Sequence, residues 1–145
     1  MKYSELQNKG LIHPYHGSKK QVQKHLKLAE RDIKTSQRIV AEDWDWAFNI
    51  AYNAILQAGR ALMFYKGYRP TSGEGAHMSV VQFAEITLGK TFENEISLFD
   101  KMRQKRHRVI YDVAGIISQH EAKQSFEFAK KFVTIIREYI EKRKK

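Results

Sequence analysis

The sequence predicts an all-α protein, an up-and-down antiparallel bundle of four to five helices. Three observations carry this expectation. Every long segment repeats its apolar residues three and four positions apart, the period of a helix, and no segment reads as a convincing strand or as an internal repeat. The two prolines, Pro14 and Pro70, both fall between periodic segments. Two capping boxes, Ser18-Lys19-Lys20-Gln21 and Ser118-Gln119-His120-Glu121, stand directly ahead of periodic segments. Helices of this length joined by short loops pack as antiparallel neighbours.

The first 17 residues form an N-terminal arm. A short helix is possible over Ser4 to Lys9, and Gly10, Pro14 and Gly17 break it. From residue 18 to residue 145 the chain reads as one helical domain with a basic C-terminal tail. Its first helix starts at the Ser18 box and runs to about Val40, with Val22, His25 or Leu26, Ala29, Ile33, Ser36, Ile39 and Val40 on its apolar stripe and charges on the other face. The second runs from about Asp43 to Lys66 and is apolar on nearly every side, the mark of a central helix. Arg60 is the one charge inside that run, Asn49, Asn53 and Gln57 make a polar line, and Gly67 suits the C-cap.

A loop follows, in which Gly73, Gly75 and Ser72 form either an anion-binding nest or a plain turn. The third helix spans about Ala76 to Leu88 and ends at Gly89, with Thr91 as the N-cap of the next. The fourth, about Phe92 to Ile110, places Phe92, Ile96, Phe99, Arg103, Arg106 and Ile110 on one stripe. The fifth runs from the Ser118 box to about Lys142.

At 145 residues the chain is long enough for a real core. No apolar run approaches the roughly 20 residues of a membrane span, no secretory signal opens the chain, and no cysteine is present. These features fit a cytoplasmic protein without membrane attachment, and they exclude disulfides and thiolate zinc sites. The formal charge of +10 favours anionic partners such as RNA, DNA, a nucleotide or an acidic protein; a solvated basic surface is the plainer reading. Part of the excess is the tail, Lys142-Arg143-Lys144-Lys145; another part is Lys101, Lys105, Arg103, Arg106 and Arg108, packed into eight residues.

Several chemistries can be set aside. His13 and His16 are three apart, but no acid or cysteine completes a metal set, so no metal and no cofactor are expected. Ala84 to Thr91 fits a relaxed phosphate-loop pattern ending Gly89-Lys90-Thr91, yet the motif needs a strand before its loop, and here a helix precedes it. Serine or cysteine triads, calcium loops and helical zinc pairs are not readable.

The basic cluster remains. A buried guanidinium without partners is costly, so two arginines on an apolar stripe line a polar cavity, a cleft or a subunit interface. Arg103 and His107 are four apart, as are His107 and Tyr111. Arginine can clamp a phosphate with paired hydrogen bonds, histidine can move a proton near neutral pH, and a tyrosine can donate or stack on a base. Metal-free RNA cleavage needs little more. Alternatively, Arg103 and Arg106 pair with Asp100, Asp112 or Glu95, and Tyr111 simply packs.

In order and spacing, Ala47-Phe48-Asn49-Ile50-Ala51-Tyr52-Asn53-Ala54 with Ala61-Leu62, then Gly67-Tyr68-Arg69-Pro70, then His77, then Arg103-Gln104-Lys105-Arg106-His107-Arg108-Val109-Ile110-Tyr111-Asp112 resemble a HEPN domain. The likeness covers about residues 20 to 142. It implies a helical bundle, a homodimer with the late arginine motif at the dimer cleft, and a ribonuclease in many members. Some members are toxins paired with a small nucleotidyltransferase-type antitoxin. The family's nuclease motif is Arg, a polar residue, then His after four to six intervening residues. Here Arg106 takes the Arg position, His107 the polar position, and Tyr111 the position of the His, so the motif is altered. The expectation is a dimeric module binding RNA or a nucleotide through Arg103, Lys105, Arg106, Arg108 and His77. Alternatives are a metal-independent ribonuclease acting through Arg106, His107 and Tyr111, and a purely structural partner subunit.

Overall fold

The computed structural model describes residues 1–73, 75–111 and 114–143. Its elements in chain order are α1 (Tyr3–Asn8), β1 (Ile12–Pro14), α2 (Lys19–Ile39), α3 (Trp44–Lys66), β2 (Tyr68–Pro70), α4 (Ala76–Leu88), a 3-10 turn (Lys90–Phe92), α5 (Glu93–Tyr111) and α6 (Gln119–Arg143). Five long helices therefore make the bundle, as the periodicity predicts.

Local chemistry accounts for the helix ends. The Ser18 hydroxyl accepts from the Gln21 amide at 3.1 Å and the Ser118 hydroxyl from the Glu121 amide at 3.0 Å, which caps α2 and α6. Asp43 caps α3, accepting from the Trp46 amide at 3.0 Å. Gly67 closes α3 at φ 92°, a left-handed conformation that costs glycine little. Thr91 is not the N-cap of α5: it lies inside the 3-10 turn that follows Gly89, so the chain winds tightly into α5 rather than through a side-chain cap.

Helix α3 is the axis. Twelve of its residues are buried, among them Phe48, Tyr52, Ile55, Leu56, Leu62 and Met63, and it packs against α2, α4, α5 and α6. Small residues set how closely those neighbours come. At Gly59 a Cβ would lie 2.4 Å from Val80 Cγ1, so α4 approaches α3 at a distance that only glycine permits.

The structure departs from the sequence reading in three further places. First, two short strands exist: β1 and β2 pair antiparallel, with His13 opposite Arg69. Three residues are too few for strand periodicity to register, and the prolines sit at the strand ends, where a missing N–H is tolerated. This pairing ties the arm to the bundle, and α1 docks beside it. Leu6 is fully buried, the Tyr3 ring stacks on Phe83 at 4.8 Å, and its hydroxyl is 2.6 Å from that of Thr87.

Second, α2 buries a charge on its apolar face. Asp32 is 5% exposed, held by Asn53 Nδ2 at 2.8 Å and Arg31 at 3.0 Å. The polar line of α3 thus serves α2, and Gln57 continues it by pairing with His25 Nδ1 at 2.8 Å.

Third, the later half of the α5 stripe, from Arg103 onward, leaves the core. Its buried residues are Ile96, Phe99, Met102 and Val109, whereas Ile110 is 43% exposed. The inward track bypasses Arg103 and Arg106, leaving both half-buried at its edge. No helix among the described residues is long and apolar enough to cross a membrane.

Candidate functional site

The edge of that track opens into a cleft between the start of α4 and the end of α5. The cleft holds about 430 Å³ and is lined by Gly73, Gly75, Ala76, His77, Met78, Arg103, Arg106, His107 and Tyr111. One wall is the first turn of α4, whose N-cap, Gly75, has a φ of 84° and supplies no side-chain cap. The positive end of that helix therefore faces the same space as the two arginines. The other wall is a single face of α5, on which residues 103, 106, 107 and 111 lie three or four apart.

Tyr52 of α3 lies behind the cleft lining, in contact with both walls. It is fully buried, and its hydroxyl is 3.1 Å from His77 Nδ1. The Arg106 guanidinium carbon lies 5.6 Å from the Tyr52 ring centroid, within cation–π range. Burial pushes the Tyr52 hydroxyl well above its ordinary value, against the opposing pull of Arg106, Arg103 and Arg60. The phenol consequently stays protonated and available as a donor.

His77 moves the other way. Burial, then Arg106, Arg60 and Arg103, lower it to about 4, so its imidazole is neutral near pH 7. Arg60 of α3 is the third cation of this group. Burial and then Arg106 draw it below its ordinary value, with Tyr52 opposing; a guanidinium remains charged nonetheless.

The two cleft arginines differ in their partners. Arg103 Nε donates to Asp100 Oδ1 at 2.9 Å, and Asp100 also accepts from Gln104 at 3.0 Å. Arg106 has no carboxylate within ion-pair distance among the described residues. Of the acids considered for these arginines, Asp100 is used, Glu95 pairs instead with Lys131 of α6 at 3.2 Å, and Asp112 lies outside the described residues. At the rim, His107 and Tyr111 face one another with ring centroids 4.8 Å apart, and Tyr111 is 68% exposed.

Five of the residues singled out from sequence thus meet in one cleft: Arg103, Arg106, His107, Tyr111 and His77. Two others do not reach it. Lys105 turns to the opposite side of α5, where its Nζ is 2.6 Å from Glu121 of α6. Arg108 is exposed and lines no part of the cleft. The helical angle explains both, since positions 105 and 108 project away from the 103–106–107 face. Sequence reasoning missed Tyr52, whose place in an apolar run disguised it as core, and gave Arg60 no role. A lone charge in an otherwise apolar helix was the available signal for Arg60. The histidines at 13 and 16 gather no acids, and no metal-holding group of three or more His, Cys, Asp or Glu occurs among the described residues.

A bundle wrapped on one central helix, with an arginine-bearing cleft at the end of a late helix, defines a class of helical domain. The family model for the HEPN domain matches residues 22–139, and the chain belongs to that family. Its backbone is also similar to that of the crystal structure of TT1696 from Thermus thermophilus. The TM-score is 0.63 and the identity 18%, over 81% of this chain and 97% of that one. That likeness concerns the fold. No curated protein matches the sequence.

Proposed function

We propose that the chain is a dimeric HEPN module that binds RNA or a nucleotide in the α4–α5 cleft. The observation that carries this reading is Arg106, a half-buried guanidinium that faces the cleft with no carboxylate partner among the described residues. A cation withdrawn from water and left without a counter-charge is costly, and a phosphate would remove that cost. The α4 N-terminus and Arg103 favour an anion at the same point, and the His107–Tyr111 pair offers aromatic faces for a base. Ile110 and Tyr111, exposed beside the basic face, are the apolar surface that a second copy would cover. Membership of the family is the reason to look for a nucleotidyltransferase-type protein partner, as in a toxin–antitoxin pair.

A metal-independent ribonuclease is the second reading, and one observation favours it. His77 supplies a neutral imidazole in the cleft of Arg106, although position 111 carries tyrosine. Such a group could take the proton of a 2′-hydroxyl while the arginine holds the phosphate. A purely structural subunit would account for the Arg103–Asp100 and Lys105–Glu121 pairs and for the packing of Arg106 on Tyr52, but it leaves the Arg106 charge without a carboxylate partner among the described residues.

One experiment separates the three. Labelled RNA is incubated in EDTA with the wild type and with Arg106→Ala, and both binding and cleavage are followed. Binding without cleavage, weakened in the variant, supports the module. Cleavage lost in the variant supports the nuclease. Failure of the wild type to bind either RNA or a mononucleotide would sink both.

A further inference from the structure

We propose that the cleft is a terminal-phosphate site: it takes a phosphomonoester end in preference to an internal phosphodiester, and His77 takes up a proton when that end binds. The proposal rests on the reading of the cleft as an RNA or nucleotide site and names which phosphate it selects.

The first argument is charge. Arg60 of α3 and Arg103 and Arg106 of α5 all act on His77, and the one carboxylate paired with them among the described residues is Asp100, on Arg103. Among the described residues, two positive charges are therefore left over around His77, in a partly desolvated space. A phosphodiester brings one negative charge, whereas a phosphomonoester brings about −1.5 to −2 at pH 7 and three strong acceptor oxygens. The monoester is therefore the better match in charge. Its extra oxygen also suits a site with two separate guanidiniums and a helix N-terminus.

The second argument is the setting of His77. From α3, the Tyr52 hydroxyl and Arg60 act on it; from α5, Arg106 and Arg103 do, with His107 and Tyr111 across the cleft. On the far side of α4, Tyr3 of α1 and Tyr68 of β2 pack on Phe83, well along the helix. No carboxylate among the described residues acts as counter-charge to His77. A bound dianion would be that counter-charge, and it would also offset the arginines that keep the imidazole neutral.

Tyr52 makes the change of state inexpensive. A protonated phenol can donate to a neutral Nδ1, and its oxygen can accept from Nδ1–H once the ring is charged, so the 3.1 Å bond survives in both states. The proton comes from solvent and no covalent bond is made.

The test uses the full chain with imidazole-labelled histidines, followed by NMR across a pH series. Probes are inorganic phosphate, adenosine 5′-monophosphate, and one short RNA prepared with a 5′-phosphate, with a 3′-phosphate, and with neither. The expected result is that saturating phosphate or adenosine monophosphate raises the His77 titration midpoint from about 4 by about two to three units, so that the bound ring is substantially protonated towards neutral pH. In binding assays an end-phosphorylated RNA, adenosine monophosphate or both should bind about tenfold or more tighter than the unphosphorylated RNA. Which of the two benefits tells whether a nucleotide or a strand end is the natural source. His77→Gln should reduce the preference for the phosphorylated form, and the wild-type NMR titration stands alone if that variant does not fold. Equal affinity for all three RNAs with an unmoved His77 overturns the terminal-phosphate assignment while leaving the broader RNA reading intact. Absence of binding to every probe removes both.

Discussion

Arg106 stands over the ring of Tyr52, and the hydroxyl of that same ring meets His77. One buried side chain of the central helix therefore joins the late arginine motif of α5 to the first turn of α4. The two halves of the cleft are fixed relative to each other by a residue that neither half contains.

The arginines of the cleft should not contribute equally to binding. Arg106→Ala is expected to weaken RNA or phosphate binding by about tenfold to a hundredfold, the range for losing a charge-assisted hydrogen bond. It should also reduce the salt dependence by about one counterion. Arg103→Ala should cost less, because Asp100 already offsets its charge. Asp100→Asn should tighten binding by freeing Arg103. Fluorescence anisotropy at two salt concentrations reads all three, and a looser Asp100→Asn complex would contradict the assignment.

Stability should fall on mild acidification. His77 in the folded chain sits at about 4, below its ordinary 6.5, so the unfolded chain takes up the proton first as pH drops. The contribution is complete above about pH 6.5 and is lost progressively towards pH 4. His25, also lowered by burial, adds in the same direction. Urea denaturation at several pH values should show the midpoint dropping through this window, with a shallower drop in His77→Gln. The same slope in the variant as in the wild type would show that His77 carries none of it.

Gly59→Ala should destabilise the bundle although alanine is the better helix former. The new Cβ would lie 2.4 Å from Val80 Cγ1, and overpacking of this kind costs about 1–3 kcal/mol. Adding Val80→Ala should recover part of the loss. Thermal unfolding of the single and double variants checks the pair, and no recovery would mean that the strain lies elsewhere.

The arm should behave as part of the core. Leu6 is fully buried, and Leu6→Ala is expected to cost about 2–4 kcal/mol in chemical denaturation. A change near zero would mean that α1 does not hold its place on α4 in solution.

The helix limits were legible because the signals that set them are local. The serines at 18 and 118, Asp43, Gly67 and Gly89 act within one turn of their own positions, and the 3.6-residue period carries the rest. The strands were not legible, because three residues cannot display a period of two and their stability comes from a partner more than fifty residues away. Asp32 illustrates the same limit: on a helical wheel it is one more charge, and the approach of Asn53, beside the pairing with Arg31, makes its burial tolerable.

For the site, spacing along α5 by itself determined that Arg103, Arg106, His107 and Tyr111 share a face, since a helix fixes the angle between residues three and four apart. It could equally have separated Lys105 and Arg108 from them. The crossing of α4 over α3 decided the rest. The close approach at Gly59 is part of that crossing, which brings His77 onto Tyr52 and beside Arg106. Helical periodicity is a property of one segment, whereas the meeting of residues 52, 77 and 106 depends on how three segments pack, so the first is written in the sequence and the second is decided by the fold.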